Sequence, residues 1–114
     1  MGRKVIDTAH TPFLAYDLEG PVQTEMSYLP ISYDKISGQG CYVMRMAPGA
    51  VTRPHDHPGF EEFLVLEGEL IDDDGARFKA GDFVSFTPGT RHNSRTETGC
   101  VLAVFEWRRW HGGE

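Results

Sequence analysis

The side chains of this 114-residue chain best placed to do chemistry lie close together, in the stretch Gly49-Ala-Val-Thr-Arg-Pro-His55-Asp-His57-Pro-Gly-Phe-Glu61-Glu-Phe-Leu-Val-Leu-Glu-Gly68. Two imidazoles at alternate positions of an extended chain point to the same side. A carboxylate, Glu61, follows a Pro58-Gly59 turn, and a second stretch, Gly81-Asp-Phe-Val-Ser-Phe-Thr-Pro-Gly89-Thr-Arg-His92, supplies a third imidazole. Three histidines and one glutamate suit a borderline divalent transition metal: Fe, Mn, Ni, Co or Zn. His55, His57, Glu61 and His92 are therefore the candidate metal ligands. Near-octahedral coordination leaves positions open for water or a substrate, which separates a chemical site from a structural one.

The elements that must carry these side chains read as strands. Turn signals recur about every ten residues, among them Gly20-Pro21, Pro48-Gly49, Pro58-Gly59, Asp74-Gly75 and Pro88-Gly89, with short runs rich in Val, Phe, Tyr and Leu between them. No long stretch keeps a helical apolar period, so the fold class is all-β, a barrel or sandwich. Strands are predicted at 41–46, 61–66 and 83–86, at 101–107, and as a hairpin of 69–71 with 76–79 closed by an Asp-Gly turn. Val51 to His57 leads into the first motif. In the strand from Glu61, Phe63 and Val65 share the face of the carboxylate and make its surroundings apolar, while Glu62 points away. A carboxylate buried there is costly unless a cation pairs with it. Asp72 to Asp74 reads as a solvated turn, because the alternating acids of a calcium loop are missing. His10 and His111 read as tail residues.

The bulk numbers bound the rest. The length predicts one domain, large enough to bury a core without staples. The net charge of −6, from 17 acidic and 11 basic residues, argues against a nucleic-acid partner. No apolar run is long enough to cross a bilayer, and the N-terminus lacks the apolar core of a secretion signal; the expectation is a cytoplasmic protein with no membrane partner. Cys41 and Cys100 read as buried free thiols. Residues 1–30 read as an N-terminal arm or strand packing on the barrel or a partner, and 31–110 as the barrel itself. The aromatic content of the N-terminal part (Phe13, Tyr16, Tyr28 and Tyr33) leads us to expect a homodimer.

The two motifs resemble those of the cupins. Gly49, His55, His57, Glu61 and Gly68 fit the first cupin motif, and Gly81, Gly89 and His92 the second; Thr87 and Thr96 depart from it at a proline and an asparagine position. In finer detail, residues 55–68 and the Gly99-Cys100 pair resemble the cupin domain of ChrR-type anti-sigma factors. The resemblance implies a double-stranded β-helix, or jelly-roll barrel, usually dimeric, with a metal on the four residues named. Similar small cupins include dioxygenases acting on diketones and hydroxyaryl ketones, beside isomerases, lyases and sugar-binding proteins. The leading expectation is an Fe(II)-dependent dioxygenase acting on a small substrate that chelates through oxygen. The alternatives are a non-catalytic metal or small-molecule sensor, and an interaction protein braced by its metal. Pocket walls are expected from Phe63, Val65, Tyr42 and Met44, and from Phe83, Ser85, Phe105 and Trp107. Arg45, if it faces inward, is the candidate for gripping a substrate carboxylate or enolate; the alternative is an outward arginine pairing with Glu62 or another surface acid.

Overall fold

The computed structural model describes residues 2–109, and it contains strands and no helix among them. Ten strands follow in order: β1 (Leu14–Tyr16), β2 (Gln23–Pro30), β3 (Gly40–Met46), β4 (His55–Asp56), β5 (Phe60–Asp72), β6 (Arg77–Lys79), β7 (Phe83–Phe86), β8 (Arg91–His92), β9 (Ser94–Arg95) and β10 (Cys100–Trp107). The main sheet runs β1-β2-β3-β10-β5-β6, with β7 and β9 also paired to β5, and β4 with β8 forms a separate two-stranded ladder. All the strand pairs are antiparallel. The curled sheets form the barrel expected from the sequence. Among the described residues no helix is long and apolar enough to cross a membrane.

Strict alternation builds the interior. Tyr42, Met44 and Met46 of β3 face Val104, Leu102 and Cys100 of β10 across the ladder, and all six are buried. Phe63 and Val65 of β5 lie opposite Val104 and Leu102 on the other side of β10. Each such side chain contributes about 1.5–3 kcal/mol through removal from water. Residues 14–30, set apart in sequence as an arm, supply β1 and β2 to the same sheet. Tyr16, Met26 and Tyr28 belong to the core, and Tyr33 packs against it. The N-terminal aromatics are thus largely used within one chain.

The central strand β5 is a single element of 13 residues, where the sequence suggested two. Its first half pairs with β7 and β10, its second with β6 and β9. Halfway along, the register slips: Leu102 faces Val65 while Val101 faces Glu67, so Leu66 is left over as a bulge. The slip switches the inward positions from odd (Glu61, Phe63, Val65) to even (Leu70, Asp72), and all five are buried. Gly68 holds the crossing. Its φ of +76° lies in the left-handed region, and a Cβ there would lie 2.0 Å from the Gly99 carbonyl oxygen. Gly68→Ala is therefore expected to cost about 2–4 kcal/mol through strain and overpacking, read as a lower midpoint in chemical denaturation; an unchanged midpoint would contradict this role.

The two cysteines are free, Cys100 buried and Cys41 partly so. His10 is exposed and bonded to Asp7. His111 lies outside the described residues.

Candidate metal centre

Short strands bring the two motifs together at one end of the barrel. His55 pairs with His92 in the β4–β8 ladder. The Pro88-Gly89 turn is tied back to the first motif, since Gly89 N–H donates to the His57 carbonyl at 2.8 Å and His57 N–H donates to the Thr90 carbonyl at 3.2 Å. Thr96, in the place of the second motif's asparagine, is buried and donates from its hydroxyl to the Glu69 carbonyl at 2.7 Å, so the departure keeps a hydrogen bond within the barrel.

His55, His57, Glu61 and His92 each offer one ligand atom, and these atoms all lie within 4.8 Å of one another. His57, Glu61 and His92 are buried and His55 is partly so. His92 Nε2 lies 3.2 Å from Glu61 Oε1 and 3.1 Å from His57 Nε2. His57 Nδ1 lies 3.2 Å from Glu61 Oε2, and His55 Nε2 lies 3.7 Å from the same oxygen.

Two further carboxylates fix the imidazoles from behind. Glu19 Oε2 lies 2.7 Å from His55 Nδ1, which also bonds to the Arg53 carbonyl at 2.6 Å, and Asp72 Oδ1 lies 3.0 Å from His92 Nδ1. Each turns the Nε2 atom of its ring toward the centre, the arrangement that commonly orients metal-bound histidines. Tyr16 donates from its hydroxyl to Glu19 Oε1 at 2.6 Å, and Ser94 donates to Asp72 Oδ1 at 3.0 Å. The Phe86 ring stacks on His92 with centroids 4.0 Å apart. The inward switch in β5 is what makes Asp72 a support of the site, a correction to its reading as part of a solvated turn.

The electrostatics favour a cation at the centre. Glu61 and Glu106 are directly opposite on β5 and β10, an unfavourable placement for like charges. Burial and the Glu61 charge push the Glu106 carboxyl up to about 8. Burial opposes ionisation of Glu61, yet the adjacent imidazoles of His55, His92 and His57 take it down to about 2. Burial disfavours charge on His55 too, but Glu19 and Glu61 outweigh it and carry the ring up to about 10. Burial lowers His57. His92 is raised, as its bonds to Glu61 and Asp72 overcome its burial. The buried His55 Nε2 has no hydrogen-bond partner. Its orphaned nitrogen, two imidazole nitrogens only 3.1 Å apart and surplus carboxylates together fit a divalent cation, and the cluster could hold one.

Two spaces adjoin the cluster. An inner apolar cavity of about 30 Å³ reaches Tyr42, Met44, Phe63, Leu102 and Val104, room for about one or two waters. An outer cleft of about 390 Å³ opens past His55 and His57 between Tyr33, Arg53, Glu106 and Arg108. Of the residues expected to wall a pocket, Tyr42 lines both spaces, and Phe63 and Met44 line the inner one. Val65 points inward but sits deeper in the core.

Five other expectations are corrected by strand parity. Arg45 faces outward, its guanidinium 4.0 Å from the centre of the Phe13 ring. Phe83 and Phe105 stack on each other on the outer face. Trp107 stacks on Phe60 and donates its indole N–H to Glu62 at 2.7 Å. Ser85 is exposed opposite the outward Glu62. Glu19, Asp72, Glu106 and Arg53 were missed. Glu106 alone carried a signal, since it continues the inward alternation of Leu102 and Val104.

Asp72→Ala is expected to weaken metal affinity by about 10–100-fold, the usual effect of losing the partner behind a ligating histidine. Asp72→Asn keeps an acceptor and should lose less. Competition against a chromophoric chelator measures both, and equal affinity of Asp72→Ala and wild type would contradict the assignment.

Similar folds occur in proteins of varied description. The chain resembles a cupin-like protein of unknown function from Ralstonia eutropha (22% identity, TM-score 0.77, covering 93% of this chain and 73% of that one). It resembles the polyketide cyclase RemF from Streptomyces resistomycificus (20%, TM-score 0.71, 90% and 77%). It also resembles an acetylacetone dioxygenase from Acinetobacter johnsonii (10%, TM-score 0.74, 93% and 75%). At these identities the likeness shows the fold. No curated protein sequence matches the chain. The ChrR Cupin-like domain profile matches residues 1–109, and the chain therefore belongs to that cupin family.

Proposed function

We propose that this protein is a metal-dependent enzyme of the dioxygenase type, holding one divalent transition-metal ion on His55, His57, Glu61 and His92. The observation that carries the reading is the convergence of these four side chains beneath an open cleft of about 390 Å³, a volume suited to a small ligand. A metal there supplies Lewis acidity and a template for a substrate that chelates through oxygen. The chain's own residues do the rest. Glu19 and Asp72 keep Nε2 of His55 and His92 turned to the centre. Tyr42 walls the cleft, and Met44, Phe63, Leu102 and Val104 keep water from the inner side. The likeness to an acetylacetone dioxygenase supports small diketones as a first substrate class.

The family match favours a second reading, a non-catalytic sensor of a metal or small molecule. An oxygen-electrode screen of anaerobically prepared, Fe(II)-loaded protein against β-diketones and hydroxyaryl ketones separates the two. Oxygen uptake that needs both metal and substrate supports the enzyme. Stoichiometric metal binding with no turnover for any reduced metal contradicts it and leaves the sensor.

A further inference from the structure

The cleft holds two arginines that pair with no acid among the described residues. Among the described residues five cations of this acidic chain pair with carboxylates, Arg77 with Glu69, Arg91 with Asp56, Arg95 with Glu97, Lys35 with Asp17 and Lys79 with Asp82, while Arg45 lies over the Phe13 ring and Lys4 donates to the Ile31 carbonyl. Among the described residues, neither Arg53 nor Arg108 makes an ion pair with a carboxylate, and both line the outer cleft. Backbone carbonyls hold them instead. Arg53 donates from Nη1 to the Glu19 and Pro21 carbonyls, both at 2.8 Å. A Cβ on Gly20 would lie only 3.0 Å from that nitrogen, so glycine there gives the guanidinium its room. Arg108 donates from Nη2 to the Ser37 carbonyl at 3.2 Å, and its backbone N–H donates to Gln39 Oε1 at 3.1 Å.

Carbonyls position a guanidinium without neutralising it. No hydrogen bond among the described residues engages Nε or Nη2 of Arg53. Of the acids that line the cleft, Glu19 accepts from the Tyr16 hydroxyl and lies 2.7 Å from His55 Nδ1, Asp56 bonds to Arg91, and Glu106 faces Glu61 across the β5–β10 ladder.

We propose that Arg53 and Arg108 form an anion-reading rim, and that the physiological ligand of the cleft is a small organic carboxylate. This deepens the proposed function and rests on its reading of the cleft as the ligand site. The carboxylate sits at the rim, and the oxygens that chelate the metal lie on the far side of the same molecule, toward His55 and His57. Guanidinium groups match carboxylate geometry and bond to it more strongly than to neutral groups. The role expected of Arg45 thus passes to two residues on other segments.

The test uses full-length, nickel-loaded protein and calorimetric titration with two ligand pairs. Pentane-2,4-dione and 2,4-dioxopentanoate share a chelating diketone and differ by a carboxylate. Benzoate and benzamide differ in charge and need no chelation. The carboxylate of each pair is expected to bind at least ten-fold tighter, and the preference to fall below three-fold in Arg53→Gln/Arg108→Gln. Arg53→Lys, which keeps the charge, should retain part of it. Equal affinity within both pairs, or a preference that survives the double substitution, overturns the inference. Should the double variant not fold, benzoate against benzamide on metal-free wild-type protein decides, because no nickel is then present to take the carboxylate, and equal affinity there overturns the inference. Should both diketones fail to bind while benzoate is still preferred, the rim stands and the chelating-substrate reading falls. Diketones that bind with no carboxylate preference in either pair give the reverse.

Discussion

His92→Ala is expected to lower affinity for a divalent transition metal by more than about 100-fold, beyond what loss of a supporting partner costs. His92 is the ligand candidate contributed by the second motif, and its ring joins the others: Nε2 is 3.2 Å from Glu61 and 3.1 Å from His57, while Nδ1 is held by Asp72 at 3.0 Å. Removing it leaves donors from one stretch of chain and frees Asp72 from its imidazole. The same variant should lose any metal-dependent oxygen uptake. Competition titration with Ni(II) or Zn(II) measures the affinity, and a change under three-fold would show that His92 is a packed core histidine.

The second large effect concerns stability and pH. In the metal-free protein, native His55 holds its proton up to about 10, against an ordinary value of 6.5. Its contribution is full below about 6.5 and is lost as pH rises through about 10. His92 is raised and acts in the same sense. The Glu106 carboxyl, lifted from 4.5 to about 8, also gives native protons that the unfolded chain releases, and its contribution fades from about 4.5 through 8. Glu61, lowered to about 2, works the other way, but its loss begins only as pH falls below about 4.5. The lowered His57 likewise disfavours the acid side. Metal-free protein should therefore lose stability from pH 6.5 to 9.

A bound cation competes with these protons, so loading should stabilise more at pH 8 than at pH 6. At 100–1,000 times the dissociation constant, binding contributes about 2.7–4.1 kcal/mol, or about 10–20 °C in Tm for a domain of this size. Calorimetric scans of loaded and chelated protein at the two pH values check this. A gap that stays constant or narrows toward pH 8 would contradict the ligand set.

Much of this was legible from residue types and spacing, because alternation along a strand is a short-range property. Glu61 and Phe63 face inward and Glu62 outward, as a period of two requires. What spacing does not carry is register. Asp72 faces the interior because Leu66 is bulged and Gly68 lets β5 cross Gly99, and neither event marks the sequence around Asp72 itself. Arg45, Phe83, Phe105 and Trp107 failed as pocket residues for the same reason: each strand was recognised, but its phase is set by its partner. Glu19 sits between β1 and β2 without any periodic pattern, and only the folded chain brings it to His55. The rim arginines owe their position to carbonyls distant in sequence.

The central claim is the convergence of four side chains on one cation. Crystals of protein loaded with nickel, measured at the metal absorption edge, test it most directly. The account predicts one anomalous peak per chain, bonded to an imidazole nitrogen from each of His55, His57 and His92 and to a carboxylate oxygen of Glu61. A peak elsewhere, or one at this place with His92 or Glu61 turned away, would contradict it.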